Sequence, residues 1–164
     1  LNAAGLALDI ELTQAAALLH DVAKGKRGHE AAGGRLLASL GFDRAAPIVA
    51  AHRDVVLPGD APLTEREIVY LADKFVFGRW LVPVAERFGQ KLDLFTGDPE
   101  AAAAIRRRLG NALTVLHRVE ARLGVPAETV IDAAGFRPGP PPPEAYEAAK
   151  KNSRGAAPGP RRGE

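Results

Sequence analysis

The chain has no cysteine and no methionine. Without thiolates there are no disulfides, zinc ribbons or sulfur nucleophiles, and any metal must be held through nitrogen and oxygen. Aromatic residues are scarce, one Trp, two Tyr and six Phe among 164 residues, and they offer no evident platform for stacking a base. Nothing in the sequence therefore reads a base or a sugar, and Trp80 is more simply core or interface. Long apolar runs are missing as well. No stretch approaches the roughly 18 apolar residues that span a bilayer, and no basic-then-apolar leader opens the chain, so no membrane partner and a soluble, cytoplasmic location are expected. The first residue is Leu, not Met, and Leu1 to Ala4 read as the middle of a helix. The chain is thus expected to be a piece of a longer protein with further domains upstream of Leu1.

Nor is there an excess of charge in the body. The net charge is +2, but the last 28 residues hold six basic and three acidic residues, leaving 16 basic and 17 acidic before them. The basicity belongs to the tail, which makes a nucleic-acid partner unlikely on this ground. Residues 137–164 are rich in Pro and Gly, cannot bury a core, and are expected to be disordered apart from a helical turn near Tyr146. Residues 1–136 are expected to form one domain.

What is present is alanine and helical periodicity, with no alternating β-branched runs, so the domain reads as all-α. Asp9 is placed as the cap of a helix through Leu12, Leu19 and Ala23, stopped by Gly25. Further helices are expected from His29 to Gly41, from an Asp43 cap through His52, and from a Thr64/Glu67 capping box through Phe77. Around Pro83 the reading is one or two helical turns, then an irregular stretch from Gly89 to Gly97. Asp98-Pro99-Glu100 starts a long helix ending at Gly124, and Pro126 starts a short last one closed by Gly135.

Polar residues recur on the apolar faces of four successive helices: His20 with Asp21, His29, His52 and Asp73. One buried carboxylate is ordinarily explained by a hydrogen bond or an arginine. Several together suggest a shared cation, since a divalent metal favours deprotonated carboxylate and neutral imidazole, and helical bundles gather such ligands from facing helices. Taken singly, His29 or His52 is more often a satisfied core or surface histidine, and His117 stays in that class. One or two divalent ions are expected, with iron, manganese, zinc and magnesium all admissible.

The run Ala17-Leu18-Leu19-His20-Asp21-Val22-Ala23-Lys24 resembles the signature of the HD-domain superfamily of metal-dependent phosphohydrolases. His29-Glu30-Ala31-Ala32-Gly33-Gly34, Ile48-Val49-Ala50-Ala51-His52 and Ile68-Val69-Tyr70-Leu71-Ala72-Asp73-Lys74 are similar to its later histidine and aspartate helices, in order and in spacing. The resemblance implies an HD-domain bundle of about six to seven helices. The extra histidines look like the subclass with two metals, similar to the YqeK-like dinucleoside polyphosphate hydrolases. For that subclass His20, Asp21 and Asp73 would hold one metal, and His29 and His52 a second, with Asp21 bridging. The family's first histidine has no counterpart before His20 and is expected upstream of Leu1.

The expected activity is hydrolysis of a phosphoester or phosphoanhydride, of a nucleotide or similar phosphorylated small molecule, by a metal-activated hydroxide. Asp21 and Lys24 are the catalytic candidates, and Lys24 and Arg79 the substrate-binding ones. Lys24 would neutralise charge on phosphoryl oxygens, though a helix-end lysine also suits the dipole. Arg79 resembles an arginine that follows the aspartate helix in the YqeK-like group. Arg53, Lys26 and Arg27 lie near the expected mouth, where they either attract an anion or face water. The alternative is a catalytically weak HD domain that senses a nucleotide or regulates a larger protein.

Overall fold

A computed structural model of the chain describes residues 1–136, 141, 144 and 145. The expectations for the rest of residues 137–164, including the turn near Tyr146, lie outside the described residues. Seven α-helices carry the domain: α1 (Ile10–Leu19), α2 (His29–Ser39), α3 (Ala45–Ala51), α4 (Glu65–Phe75), α5 (Val84–Leu94), α6 (Pro99–Leu123) and α7 (Ala127–Ala133). A hairpin of two two-residue strands, β1 (Val76–Phe77) and β2 (Trp80–Leu81), joins α4 to α5. The all-α reading of the fold holds, and among the described residues no helix is long and apolar enough to cross a membrane.

The helix starts follow local chemistry. The Asp9 carboxylate accepts from the Leu12 amide and caps α1, and Asp98 does the same for α6 through Ala101. The Glu67 carboxylate accepts from both the amide and the hydroxyl of Thr64, closing the box that opens α4. Asp9 also donates its amide to Glu65 Oε1 at 2.7 Å, which ties the start of α1 to the start of α4.

Several boundaries differ from the sequence reading, each for a physical reason. α1 stops at Leu19, and His20 to Lys26 run as successive three-residue turns, with Val22, Lys24 and Lys26 amides donating to Leu19, Asp21 and Ala23 carbonyls. α3 begins after Arg44, not at an Asp43 cap, and His52 is its C-cap. α4 ends at Phe75, because Gly78, with φ 61°, turns the chain back and pairs Val76 with Leu81 and Phe77 with Trp80. α5 is an 11-residue helix running through Gly89. Burial of Val84 and Phe88, with Leu92 packed beside them, outweighs the roughly 1 kcal/mol that a mid-helix glycine costs. Residues 1–8 contain one 3-10 turn, Asn2–Ala4, closed by Gly5, and the Asn2 side chain bonds Leu8 through both its amide and its carbonyl.

α4 is the shared wall of two cores. Val69 joins a cluster with Ala16 of α1, Leu37 of α2 and Ile48 and Val49 of α3. Tyr70, Leu71 and Phe75, on the other side of the same helix, join Val84 and Phe88 of α5 with Val115 and Val119 of α6. α2 and α3 pack most closely: a Cβ on Gly34 would lie 2.8 Å from Ala50 Cβ and 2.9 Å from the Ala46 carbonyl oxygen. That approach fixes His29 on α2 relative to His52 on α3. Gly34→Ala must push the helices apart, and overpacking of this kind is expected to lower unfolding free energy by about 1–3 kcal/mol. Urea denaturation of the two proteins measures it, and an unchanged midpoint would mean that the helix pair is looser than drawn.

Candidate metal centre

The five polar residues come together where α1 ends, α2 begins, α3 ends and α4 faces both cores. His20 is the C-cap of α1 and sends Nδ1 to the Ala17 carbonyl at 2.7 Å. His52, 3% exposed, does the same at the end of α3, its Nδ1 reaching the Val49 carbonyl at 2.6 Å. A carbonyl oxygen only accepts, so each Nδ1 carries the proton and each neutral ring presents a bare Nε2 to the cluster. The backbone at two helix ends thereby selects the tautomer that can ligate a metal.

Asp21 stands between the rings. Its Oδ1 lies 3.5 Å from His29 Nε2 and 3.8 Å from His52 Nε2, and its Oδ2 lies 3.5 Å from His20 Nε2 and also accepts from Lys24 Nζ. Asp73 Oδ1 is 3.7 Å from His20 Nε2. Ring centroids of His20 and His29 lie 5.2 and 5.3 Å from that of His52. Nitrogen-to-oxygen gaps of 3.5–3.8 Å exceed hydrogen-bonding range. Ligand atoms of Asp21, His29 and His52 all fall within 4.8 Å of one another. Bare imidazole nitrogens facing carboxylate oxygens across such gaps are the donor chemistry that a small divalent cation fits.

The electrostatics agree. Burial pushes the Asp21 and Asp73 carboxyls up, but the Lys24 ammonium bonded to Asp21, and the Lys74 and Arg87 cations beside Asp73, prevail and hold both below the usual carboxylate value. Burial, more than the neighbouring histidines, depresses His52, which favours the neutral ring. Lys74 is buried, donates to Asp73 Oδ2 at 2.7 Å and to the His52 carbonyl at 3.0 Å, and lies over the Tyr70 ring. It braces the two ligand-bearing elements against each other.

A cavity of about 420 Å³ opens onto the cluster, lined by Asp21, His29, His52 and Asp73 and by the cations Lys24, Arg53, Lys74, Arg87, Lys91 and Arg108. Arg79 is not brought there. The left-handed Gly78 turn carries it onto the exposed tip of the hairpin, its guanidinium 5.8 Å from the Trp80 ring centroid. His117 is exposed on α6, as its bland reading implied. Sequence reasoning missed Arg87, Lys91 and Arg108. Arg87 and Lys91 are four apart on α5, a like-charge spacing that would have flagged them had that segment been read as a helix.

A helical bundle that brings histidine and aspartate side chains from the ends and faces of four helices together, with no sulfur among them, has the donor set of a candidate metal site in an α-helical protein. Residues 2–77 match the model of the HD domain family, and this segment, which holds all five residues, is an HD domain of the superfamily of metal-dependent phosphohydrolases. Comparison with curated proteins and with solved structures gave no match.

Proposed function

We propose that the chain is a metal-dependent phosphohydrolase that cleaves a phosphoester or phosphoanhydride of a nucleotide, using two divalent ions. The observation that carries the reading is the division of labour at Asp21: Oδ2 faces His20, which in turn faces Asp73, while Oδ1 faces His29 and His52. One carboxylate placed between two donor sets supports a bridging role, with His20, Asp21 and Asp73 on one ion and Asp21, His29 and His52 on the other. The nitrogen and oxygen donors suit iron, manganese, zinc or magnesium. When bound, such ions supply Lewis acidity at a phosphoryl oxygen and a water acidic enough to be a nucleophile near neutral pH.

The side chains do the rest. The fixed tautomers of His20 and His52 hold their rings in ligating orientation without reorganisation. Lys24 is 77% exposed on the side-chain scale, so it can leave Asp21 and meet a substrate phosphoryl oxygen with little desolvation. Lys74, fixed by the His52 carbonyl and Asp73, keeps the far side of the cluster rigid.

The test is elemental analysis of the chain purified without chelator under low oxygen, beside a phosphate-release screen over nucleotides and simple phosphoesters. About two equivalents of metal per chain, with turnover that chelation abolishes and metal restores, are expected. About one equivalent would remove the bridging role. Bound metal with tight nucleotide binding and no turnover would replace the hydrolase by a sensor, and no metal after reconstitution would overturn both.

A further inference from the structure

His20 and His52 close helices, where a carbonyl three residues back lies within reach of a ring nitrogen. His29 has no such partner. It is the first residue of α2, after Gly28 in the left-handed region, and the start of a helix offers amide donors to a nearby ring, not carbonyl acceptors. Among the described residues no backbone carbonyl accepts from the His29 ring. A neutral imidazole can carry its proton on either nitrogen, and only the Nδ1–H form leaves Nε2 bare toward the cluster. Asp21 favours the other form, since its Oδ1 stands 3.5 Å from His29 Nε2 and attracts a proton there. Something else must hold the proton on Nδ1.

The side chain beside Nδ1 is Glu30. Its Oε2 lies 3.3 Å from His29 Nδ1, is buried, and has no hydrogen-bond partner. Its Oε1 accepts from Arg53 Nη1 at 2.9 Å, in the turn just beyond α3. Neighbours in sequence do not ordinarily face each other on a helix. Here the close approach of α2 and α3 at Gly34 and Ala50 brings Arg53 within reach, and Arg53 holds the carboxylate beside the ring. An ion pair that only ties α2 to α3 would account for Oε1 alone. It would leave a buried carboxylate oxygen unmet, which is costly, next to a histidine that lacks an acceptor.

We propose that Glu30 is the positioning residue of His29: its Oε2 accepts from Nδ1–H and thereby fixes the tautomer that turns a bare Nε2 to the donor cluster. The inference rests on the metal-dependent reading of that cluster and extends it to a side chain that touches no ion. A carboxylate on Nδ1–H also raises the basicity of Nε2 as a ligand. Two rings are thus set by backbone carbonyls and the third by a side chain, which makes the third alterable by substitution.

The decisive variant is Glu30→Gln. Arg53 only donates, so it takes the amide oxygen and leaves the NH2 group facing Nδ1, which must then be bare and sends the proton to Nε2. The metal-free full chain is read by two-bond nitrogen–proton NMR at a pH where the rings are neutral, with the His29 signals assigned from His29→Asn. Zinc is then titrated into the same stripped protein against a competing chelator. Wild type should show Nδ1–H at His29, and Glu30→Gln the Nε2–H form with zinc bound about 10–100-fold more weakly. Arg53→Ala breaks the same ion pair but leaves the carboxylate in place, so its tautomer and zinc affinity should stay closer to wild type than to Glu30→Gln. Circular dichroism checks that both variants fold. The same tautomer in wild type and Glu30→Gln, equal zinc affinities, or an Arg53→Ala loss as large as that of Glu30→Gln overturns the assignment. A tautomer switch in a protein that binds no zinc at all keeps Glu30 as the positioning residue and sinks the metal reading. Zinc bound equally by both proteins, with the tautomer unmoved, keeps the metal reading and sinks the role of Glu30.

Discussion

Asp21→Asn is expected to lower metal affinity by at least about 100-fold and phosphate release by on the order of a thousand-fold, while leaving the metal-stripped fold nearly as stable as before. Among the described residues Asp21 is the one whose two oxygens face different histidine sets. An amide keeps the shape and loses the charge, and one of its two positions becomes a donor aimed at either a bare imidazole or a cation. In the metal-free protein the partner that Asp21 loses is Lys24, an exposed side chain, and such pairs contribute about 0–1 kcal/mol. The two effects therefore separate. At metal concentrations near 100 times the dissociation constant, wild type should gain about 2.7 kcal/mol of stability, and the variant little at the same concentration. Melting curves with and without added manganese or zinc read both quantities. A variant that melts earlier without metal but still gains stability on adding it would make Asp21 a structural residue and transfer the bridging role elsewhere.

The cluster of candidate donors was legible in the sequence because metal chemistry restricts residue type and helical periodicity restricts face. His20, His29, His52 and Asp73 all recur beside apolar stripes, and the structure gathers them. Less visible was how they are held. His20-Asp21 reads as helix, yet it occupies the turn that ends α1, where His20 turns its Nδ1 to the Ala17 carbonyl and frees Asp21 to face three rings. Helix periodicity runs on through such a stop, because Ala23 is buried whether or not it is helical.

The second half of the site was hidden for a different reason. Gly89 and Pro83 are local signals against helix, and they outweighed a Val84, Phe88, Leu92 repeat whose burial depends on α6, a separate helix further along the chain. Once that segment was read as irregular, Arg87 and Lys91 had no common face, and Arg108 disappeared into a run of three arginines of which Arg106 and Arg107 point to solvent. Arg79 misled in the opposite direction. Its position after the aspartate helix suggested the cavity, but a two-residue hairpin loop reverses the chain there and carries the guanidinium away. Candidate donors placed by local periodicity are readable from one helix at a time, whereas a pocket wall depends on packing between helices.

Glu67 should give the largest stability effect of any charged residue on α4. Its side chain is fully buried, accepts from the Thr64 amide and hydroxyl, and meets the Arg66 guanidinium at 2.6 and 2.7 Å. Glu67→Ala leaves the Thr64 donors without their acceptor and opens a gap in a buried place, while the Arg66 guanidinium, 44% exposed, turns to water, so the expected cost is about 2–3 kcal/mol, against about 1 kcal/mol for Glu67→Gln, which keeps one oxygen. The pH dependence carries its own sign. Burial raises the Glu67 pKa, but the Thr64 and Arg66 contacts prevail and hold it below the ordinary glutamate value of 4.5. A carboxylate depressed in the folded state binds its proton more readily when unfolded. Its contribution is therefore complete above pH about 4.5 and is lost as the pH falls through the lower folded value. Urea midpoints measured from pH 7 to pH 3 should fall more steeply in wild type than in Glu67→Gln, with the two curves converging at the acid end. Parallel curves would mean that Glu67 titrates alike in both states and that the box stabilises α4 by shape alone. The residue is six positions before Asp73 on the same helix and makes no contact with the donor cluster, so metal content of the folded Glu67→Gln protein should match wild type.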